Sequence, residues 1–459
     1  MTRAVPGWTV LALVCACQFM VILDVSIVNV ALPSIQRDLG FTATGLAWVV
    51  NGYLLAFAGF MLPGGRAADL FGHRRMLVGG LALFSAASLA AGLASTPEVL
   101  VAARVAQGLG AAALAPATLA VLNTSFQDAR AFGAWSAAGG VGGMVGAIAG
   151  GTITTGLSWE WVFLINVPIG AALIAVAMVS LTATRTGRRG ALDLTGAVTG
   201  TAGLTALVWG VMQSAGHGWT SGRVAGPVAA GVLLLAAFVV VEARFATRPM
   251  VPLRLFGVPG VAAGNGMLLL SGGIAIAMWY FTSLLLQDVH GYSALQSGLG
   301  QTPAAVTFVV VARLAAGLLP RAGARALLLA GCACLVAGFG WLVRAGAGGG
   351  YVTGLLGPML LVAVGIGLTF PTLMAVATAG VPGGDAGTAG GLAGTASQVG
   401  GAIGLAVLAT AGGYGVVFGL AAGLGVAVAA LSLLLPRHGR PPGGSLAPQE
   451  RPAASTGGG

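Results

Sequence analysis

The sequence predicts an all-α membrane protein that crosses the bilayer fourteen times. Three observations carry this. Hydrophobic residues make up 57% of the 459 residues and charged residues only 7%, far outside the soluble range and suited to a chain solvated by lipid. The apolar residues fall in runs that reach the ~20 helical residues needed to cross a ~30 Å hydrocarbon core. The 21 basic residues, all arginine because the chain has no lysine, gather on alternate connections between those runs.

Taken in order, the runs begin near Trp8, Gly45, Met76, Glu98, Ala131, Val162, Leu192, Val224, Pro259, Ser297, Ala326, Tyr351, Ala386 and Gly413, separated by Gly, Pro and Arg punctuation. The seventh, ninth and tenth are the most interrupted, by glycines, polar residues or Arg313. With the N-terminus inside, sixteen arginines face the cytoplasm, and only Arg37, Arg223 and Arg344 lie outside. That asymmetry fixes orientation by the positive-inside rule and accounts for the net charge of +10 without nucleic acid. Both termini are then cytoplasmic. Residues 436–459, rich in Pro, Gly and Ser with no apolar face, read as a disordered tail.

The composition also excludes chemistry. Without lysine there is no Walker A nucleotide loop and no Schiff base. The four cysteines, Cys15, Cys17, Cys332 and Cys334, sit in apolar runs as small core residues. His73, His217, His290 and His438 fall in loops or at span ends, so no histidine cluster for a metal or for Ser-His catalysis forms at membrane depth. No cofactor, metal or enzymatic activity is expected. The glycine run "GGVGGMVG" follows no strand and reads as a close helix contact rather than a dinucleotide loop.

A charge at the bilayer centre costs ~2.5 to 3.5 kcal/mol, so residues that bear one face a cavity or a partner. Asp24, Arg104 and Arg313 are the candidates. Asp24 lies nine residues before Pro33 at the outer end of the first span, roughly 13 Å deep at ~1.5 Å per residue. Arg104 lies seven residues after Pro97 at the outer end of the fourth, roughly 10 Å deep. Their shared level is what an ion pair requires, and a carboxylate whose desolvation and cation neighbour change together can load and release a proton. A static pair that fixes helix packing is the structural alternative. On the fourth span Arg104, Gln107, Gly108 and Ala111 share one small, polar face, suited to a cavity or a close neighbour, with the cavity favoured. Asn29, about 140° around the helix from Asp24, belongs to a helix-contact face. Arg313 snorkels toward the cytoplasmic interface.

Four motifs resemble the major facilitator superfamily, specifically its fourteen-span drug:proton antiporters of the EmrB/QacA type, over nearly the whole chain. They are "LDVSIVNVALP" in the first span, "GRAADLFGHRRML" from Gly65, "LVAARVAQGLGAA" in the fourth span and "WEWVFLINVPIG" from Trp159. Two departures stand out: Glu160 replaces the usual arginine, and Ala147 replaces the proline of the fifth-span antiporter pattern. "AGLLPRAGAR", Ala316 to Arg325, resembles a decayed second copy of the Gly65 loop, with Gly323 and Arg325 matching Gly72 and Arg74.

The resemblance implies two pseudo-symmetric six-helix halves, residues 1–183 and 259–435, with two inserted helices in 184–258. It also implies a central cavity lined by the first and fourth spans, Asp24 and Arg104 as the proton-coupling pair, and a cytoplasmic gating loop of Gly65, Asp69, Gly72, Arg74 and Arg75, in which Asp69 and Arg74 make charge contacts that break as the halves rock. Trp48, Asn51, Tyr53, Gln107, Gly108, Trp279, Tyr280 and Gln398 are the candidate substrate-cavity residues. The expected activity is export of a small lipophilic drug or natural product by alternating access, driven by the proton gradient, by a monomer in the bacterial inner membrane. The second half carries no acid at mid-membrane depth, which disfavours a doubly charged cation as substrate. A nutrient facilitator or importer on the same fold, and a membrane sensor that transports nothing, are the alternatives.

Overall fold

The computed structural model describes residues 7–126, 129–181, 193–245, 249, 251–345, 350–381 and 385–435. The expected tail at 436–459 and most of the first cytoplasmic linker therefore lie outside the described residues. Among the described residues, fourteen helices are long and apolar enough to cross a membrane: α1 (Gly7–Leu39), α2 (Ala43–Ala68), α3 (His73–Gly92), α4 (Pro97–Ser125), α5 (Gly133–Gly156), α6 (Trp161–Ser180), α7 (Thr195–Gln213), α8 (Gly222–Phe245), α9 (Val261–Val289), α10 (Ala294–Ala322), α11 (Ala324–Arg344), α12 (Gly354–Thr378), α13 (Gly387–Ala409) and α14 (Tyr414–Ser432). Each begins within a few residues of its expected start. Helix is the form that satisfies every backbone group inside one segment, which lipid demands.

The packing repeats. In the first half α1 lies on α5, α4 on α2 and α3, and α3 on α6; in the second, α9 lies on α13, α12 on α10 and α11, and α11 on α14. The halves meet through the matching pairs α2 with α13 and α5 with α10, so one two-fold operation relates all of these contacts. The turns into α3 and α11 share a backbone as well. Gly72 has φ 95° and Gly323 has φ 77°, each followed by the first turn of a helix; this left-handed region is open to glycine and strained for other residues. The decayed repeat in the sequence thus retains the one residue its turn requires.

Small residues set the distance between the halves. A methyl at Gly298 would run into the Ala147 carbonyl, and one at Gly151 into the backbone at Ala294 and Leu295, so α5 and α10 cross with their backbones nearly touching. The inserted α7 packs on both α2 and α13, covering one seam between the halves, and α8 packs on α7 with most of its surface outward.

Candidate functional site

Asp24 sits near the middle of the 33-residue α1 and is fully buried at 0% exposure, as is Arg104 of α4 at 1%. Arg104 Nη1 donates to Asp24 Oδ2 at 2.6 Å. The pairing anticipated from depth alone is thus made between helices that are neighbours. The same Nη1 donates to Gln107 Oε1 at 2.9 Å, and Arg104 Nε donates to the Val49 carbonyl of α2 at 2.9 Å. The guanidinium lies over the Tyr53 ring at 4.5 Å and near the Phe163 ring at 5.8 Å, where aromatic faces stabilise a desolvated cation.

The other carboxylate oxygen takes two amide donors. Gln107 Nε2 donates to Asp24 Oδ1 at 3.1 Å and Asn166 Nδ2 donates to the same oxygen at 2.9 Å. Gln107 Nε2 also donates to Ser88 Oγ at 2.7 Å, and Ser88 donates on to the Phe84 carbonyl at 2.8 Å. Groups from α1, α3, α4 and α6 and a carbonyl of α2 therefore join one hydrogen-bond network built around the carboxylate, with Arg104, Gln107 and Asn166 touching it directly. Gly108 makes that convergence possible, because a methyl there would strike the Tyr53 carbonyl and hold α4 away from α2.

This arrangement corrects the cavity assignment for α4. Arg104, Gln107, Gly108 and Ala111 are all buried, and their face is filled by Asp24, Tyr53, Ser88 and Phe163 rather than opening on a cavity. Three of Arg104's five N–H donors are taken by protein groups, Asp24, Gln107 and the Val49 carbonyl.

The remaining predicted residues separate. Trp48 packs on Trp209 of the inserted α7 with ring centroids 5.5 Å apart, and Asn51 Nδ2 lies 3.7 Å from Met212 Sδ on the same helix. Both therefore face the insertion rather than a central cavity. Tyr280 is buried and stands edge-on to Phe281 at 4.9 Å within a π-helical stretch of α9, Ala277–Phe281; such wide turns recur at functional sites. Trp279 beside it and Gln398 of α13 are half-buried, on helices that belong to the second half. Arg313 is exposed, nine residues before the inner end of α10.

At the turn from α2 into α3, Arg74 Nη2 donates to the Met178 carbonyl at 2.7 Å, in the last turn of α6. It caps a helix terminus of its own half, where a cation suits the helix dipole. The Asp69 side chain lies outside the described residues. Gly65 lies within α2, Gly72 alone forms the turn into α3, and Arg75 is exposed.

Near the C-terminal end of α1 the halves are tied by helix-one carbonyls. Pro33 has no N–H to bond the Asn29 carbonyl four residues back, and Ser283 Oγ of α9 donates to that carbonyl at 3.2 Å. Gln287 Nε2 donates to the adjacent Val30 carbonyl at 3.0 Å. Asn29 is thus a helix contact, as its face implied, but through its backbone. Outside this tie lies a polar recess of about 680 Å³ lined by Arg37, Thr155, Gln287, Asp288 and Tyr292 among others.

Sequence reasoning missed Asn166, Ser88 and the Val49 carbonyl. Asn166 had a signal: an amide inside the apolar run "WVFLINVPIG" raises the same question that singled out Asp24. Ser88 had none, since a serine in a membrane helix commonly bonds its own backbone.

The comparisons with known proteins agree with the fold. The chain is 47% identical to the "Cephamycin export protein CmcT" of Amycolatopsis lactamdurans over 89% of this chain and 85% of that one. It is 38% identical to the "Puromycin resistance protein pur8" of Streptomyces alboniger over 88% and 81%, and 35% identical to the "Tetracenomycin C resistance and export protein" of Streptomyces glaucescens over 87% and 75%. Among solved structures, the nucleoside transporter NupG superposes with a TM-score of 0.65 at 12% identity, covering 93% of this chain and 99% of that one. A peptide transporter, POT, gives 0.66 at 15% identity, covering 93% and 94%. The family model described as Major Facilitator Superfamily matches residues 14–405, and the chain belongs to that superfamily of membrane transporters.

Proposed function

We propose that this protein exports an antibiotic-type natural product in exchange for protons, with Asp24 as the proton carrier and a cephamycin-type β-lactam as the first substrate to test. One observation carries the coupling: among the described residues, the only acid near the middle of a span is fully buried on an arginine and two amides. A membrane protein holds such a group at a cost, and function is the usual reason it is retained. The exporter identity of the relatives, led by 47% identity to a cephamycin exporter, supports the substrate class. The acids of the second half reinforce it: Asp288 lies at the outer end of α9 and Asp385 just before α13, leaving no mid-membrane counter-charge for a dication.

In the cycle, the two halves rock about the closely packed α2–α13 and α5–α10 pairs while Asp24 is charged from outside and discharged inside. Each proton moving across 100 mV supplies about 2.3 kcal/mol. The chain acts as a monomer in the bacterial cytoplasmic membrane with both termini inside, an orientation supported by sixteen cytoplasmic arginines against three outside. Trp279 and Gln398 are the substrate-cavity residues retained in this reading.

The test is transport into everted vesicles of cephamycin C, puromycin and a lipophilic fluorescent dye under an imposed proton gradient, for wild type and Asp24→Asn at matched expression. Gradient-dependent uptake of cephamycin C by wild type, lost in Asp24→Asn, is the expected result. Equal gradient-driven uptake in the variant removes Asp24 from the mechanism, and the absence of uptake of every compound by wild type removes the export reading.

A further inference from the structure

We infer that Asn166 is the partner that lets Asp24 hold a proton, by turning its side-chain amide over when the carboxylate becomes an acid. The inference rests on Asp24 being the proton carrier. Every group bonded to the carboxylate is a donor: Arg104 to Oδ2, and the amide nitrogens of Gln107 and Asn166 to Oδ1. Such a shell suits the charged form and opposes the neutral one, whose new O–H must itself find an acceptor or be buried unsatisfied at about 1–3 kcal/mol.

The neighbours differ in what they have left to offer. Arginine has no acceptor at all. Gln107 is committed at both ends, its Oε1 to Arg104 and its Nε2 to Ser88 and Asp24. Asn166 is fully buried, its Nδ2 bonds Asp24, and its Oδ1 has no partner. A buried, unengaged acceptor on the residue that touches the titrating oxygen asks for an explanation. Rotating the carboxamide by half a turn exchanges its nitrogen and oxygen without changing its shape. Asn166 Oδ1 then faces the acid and accepts from the proton newly bonded to Asp24 Oδ1, and the reverse rotation restores the donor when the proton leaves to the cytoplasm. The Tyr53 hydroxyl, also buried without a partner, makes no hydrogen bond to this carboxylate.

The ionisable groups facing Asp24 from the packed helices are Arg104 of α4 and the Tyr53 phenol of α2, and neither 131–156 nor 161–180 contains an ionisable residue. Asn166 is therefore the element through which α6 senses the charge on α1. It acts as a positioning residue for the proton.

The test is infrared difference spectroscopy of the full-length protein in lipid vesicles, titrated with acid, combined with transport of cephamycin C. A carbonyl band of a protonated carboxylic acid that vanishes in Asp24→Asn reports Asp24. In Asn166→Leu, which keeps the volume and removes the amide, and in Asn166→Ala, the band moves to higher wavenumber because the acid has lost its acceptor. Uphill uptake falls at least tenfold while exchange down a substrate gradient persists, which separates coupling from folding. A band assigned to Asp24 that keeps its position in both Asn166 variants overturns the role of Asn166. Failure to find any Asp24 band instead overturns the underlying assignment of the carrier.

Discussion

Replacing Arg104 by glutamine should destabilise the protein far more than replacing Arg104 and Asp24 together by neutral amides. At the observed 2.6 Å, opposite charges attract by about 6 kcal/mol at an effective dielectric of 20, against desolvation of both groups. The net worth of the pair is therefore small, whereas removing one partner strands a buried charge and costs about 3–5 kcal/mol. Arg104→Gln strands a carboxylate that retains only the Gln107 and Asn166 donors, and it also deletes the bond to the Val49 carbonyl and the contact with Tyr53. In the double variant Asp24→Asn with Arg104→Gln, no charge is buried, and a coupling of about 2–3 kcal/mol should appear as recovered stability. The assay is the fraction of monodisperse protein remaining after heating in detergent, for wild type, both singles and the double. Arg104→Gln should be lost at the lowest temperature and the double should recover most of the difference. A double variant as unstable as the sum of the singles would refute the reasoning, because it would mean that the charges contribute independently.

Three further outcomes follow from the geometry. Gly108→Val should lower thermal stability by the about 1–3 kcal/mol typical of overpacking, since its side chain meets the Tyr53 carbonyl; unchanged stability would show that α4 is free to move away. Ala147→Pro should cost much less than the about 3 kcal/mol of an ordinary mid-helix proline, because Ser26 Oγ already donates to the Gly143 carbonyl at 2.6 Å, and the advantage should disappear when Ser26→Ala is combined with it. Ser283→Ala with Gln287→Ala removes both donors that tie α9 to the α1 carbonyls. A cysteine placed at Thr155 in the outer recess should then react several-fold faster with an impermeant thiol reagent, and an unchanged rate would show that the tie does not hold the outer end closed.

What the sequence by itself determined was whatever a single helix settles alone. Span number and span limits depend on run length, which is local, and they emerge correctly even for the interrupted ninth and tenth spans. Depth is also local, so Asp24 and Arg104 were legible as a pair at one level. The repeated turn was legible because Gly72 and Gly323 adopt a backbone open to glycine and strained for other residues. Azimuth was not legible. Lipid is as apolar as leucine, so a membrane helix carries little contrast between a face packed on protein and a face packed on lipid. Trp48 and Asn51 illustrate this: their composition suited a substrate cavity, and only the packing of α7 on α2 shows that they meet Trp209 and Met212. The shell around Asp24 was hidden for the same reason. Ser88, Asn166 and the Val49 carbonyl come from three other helices, and their convergence is set by which helices touch and how closely Gly108 lets them approach. Sequence thus supplied the charge in the membrane, and tertiary structure supplied the partners that decide what that charge can do.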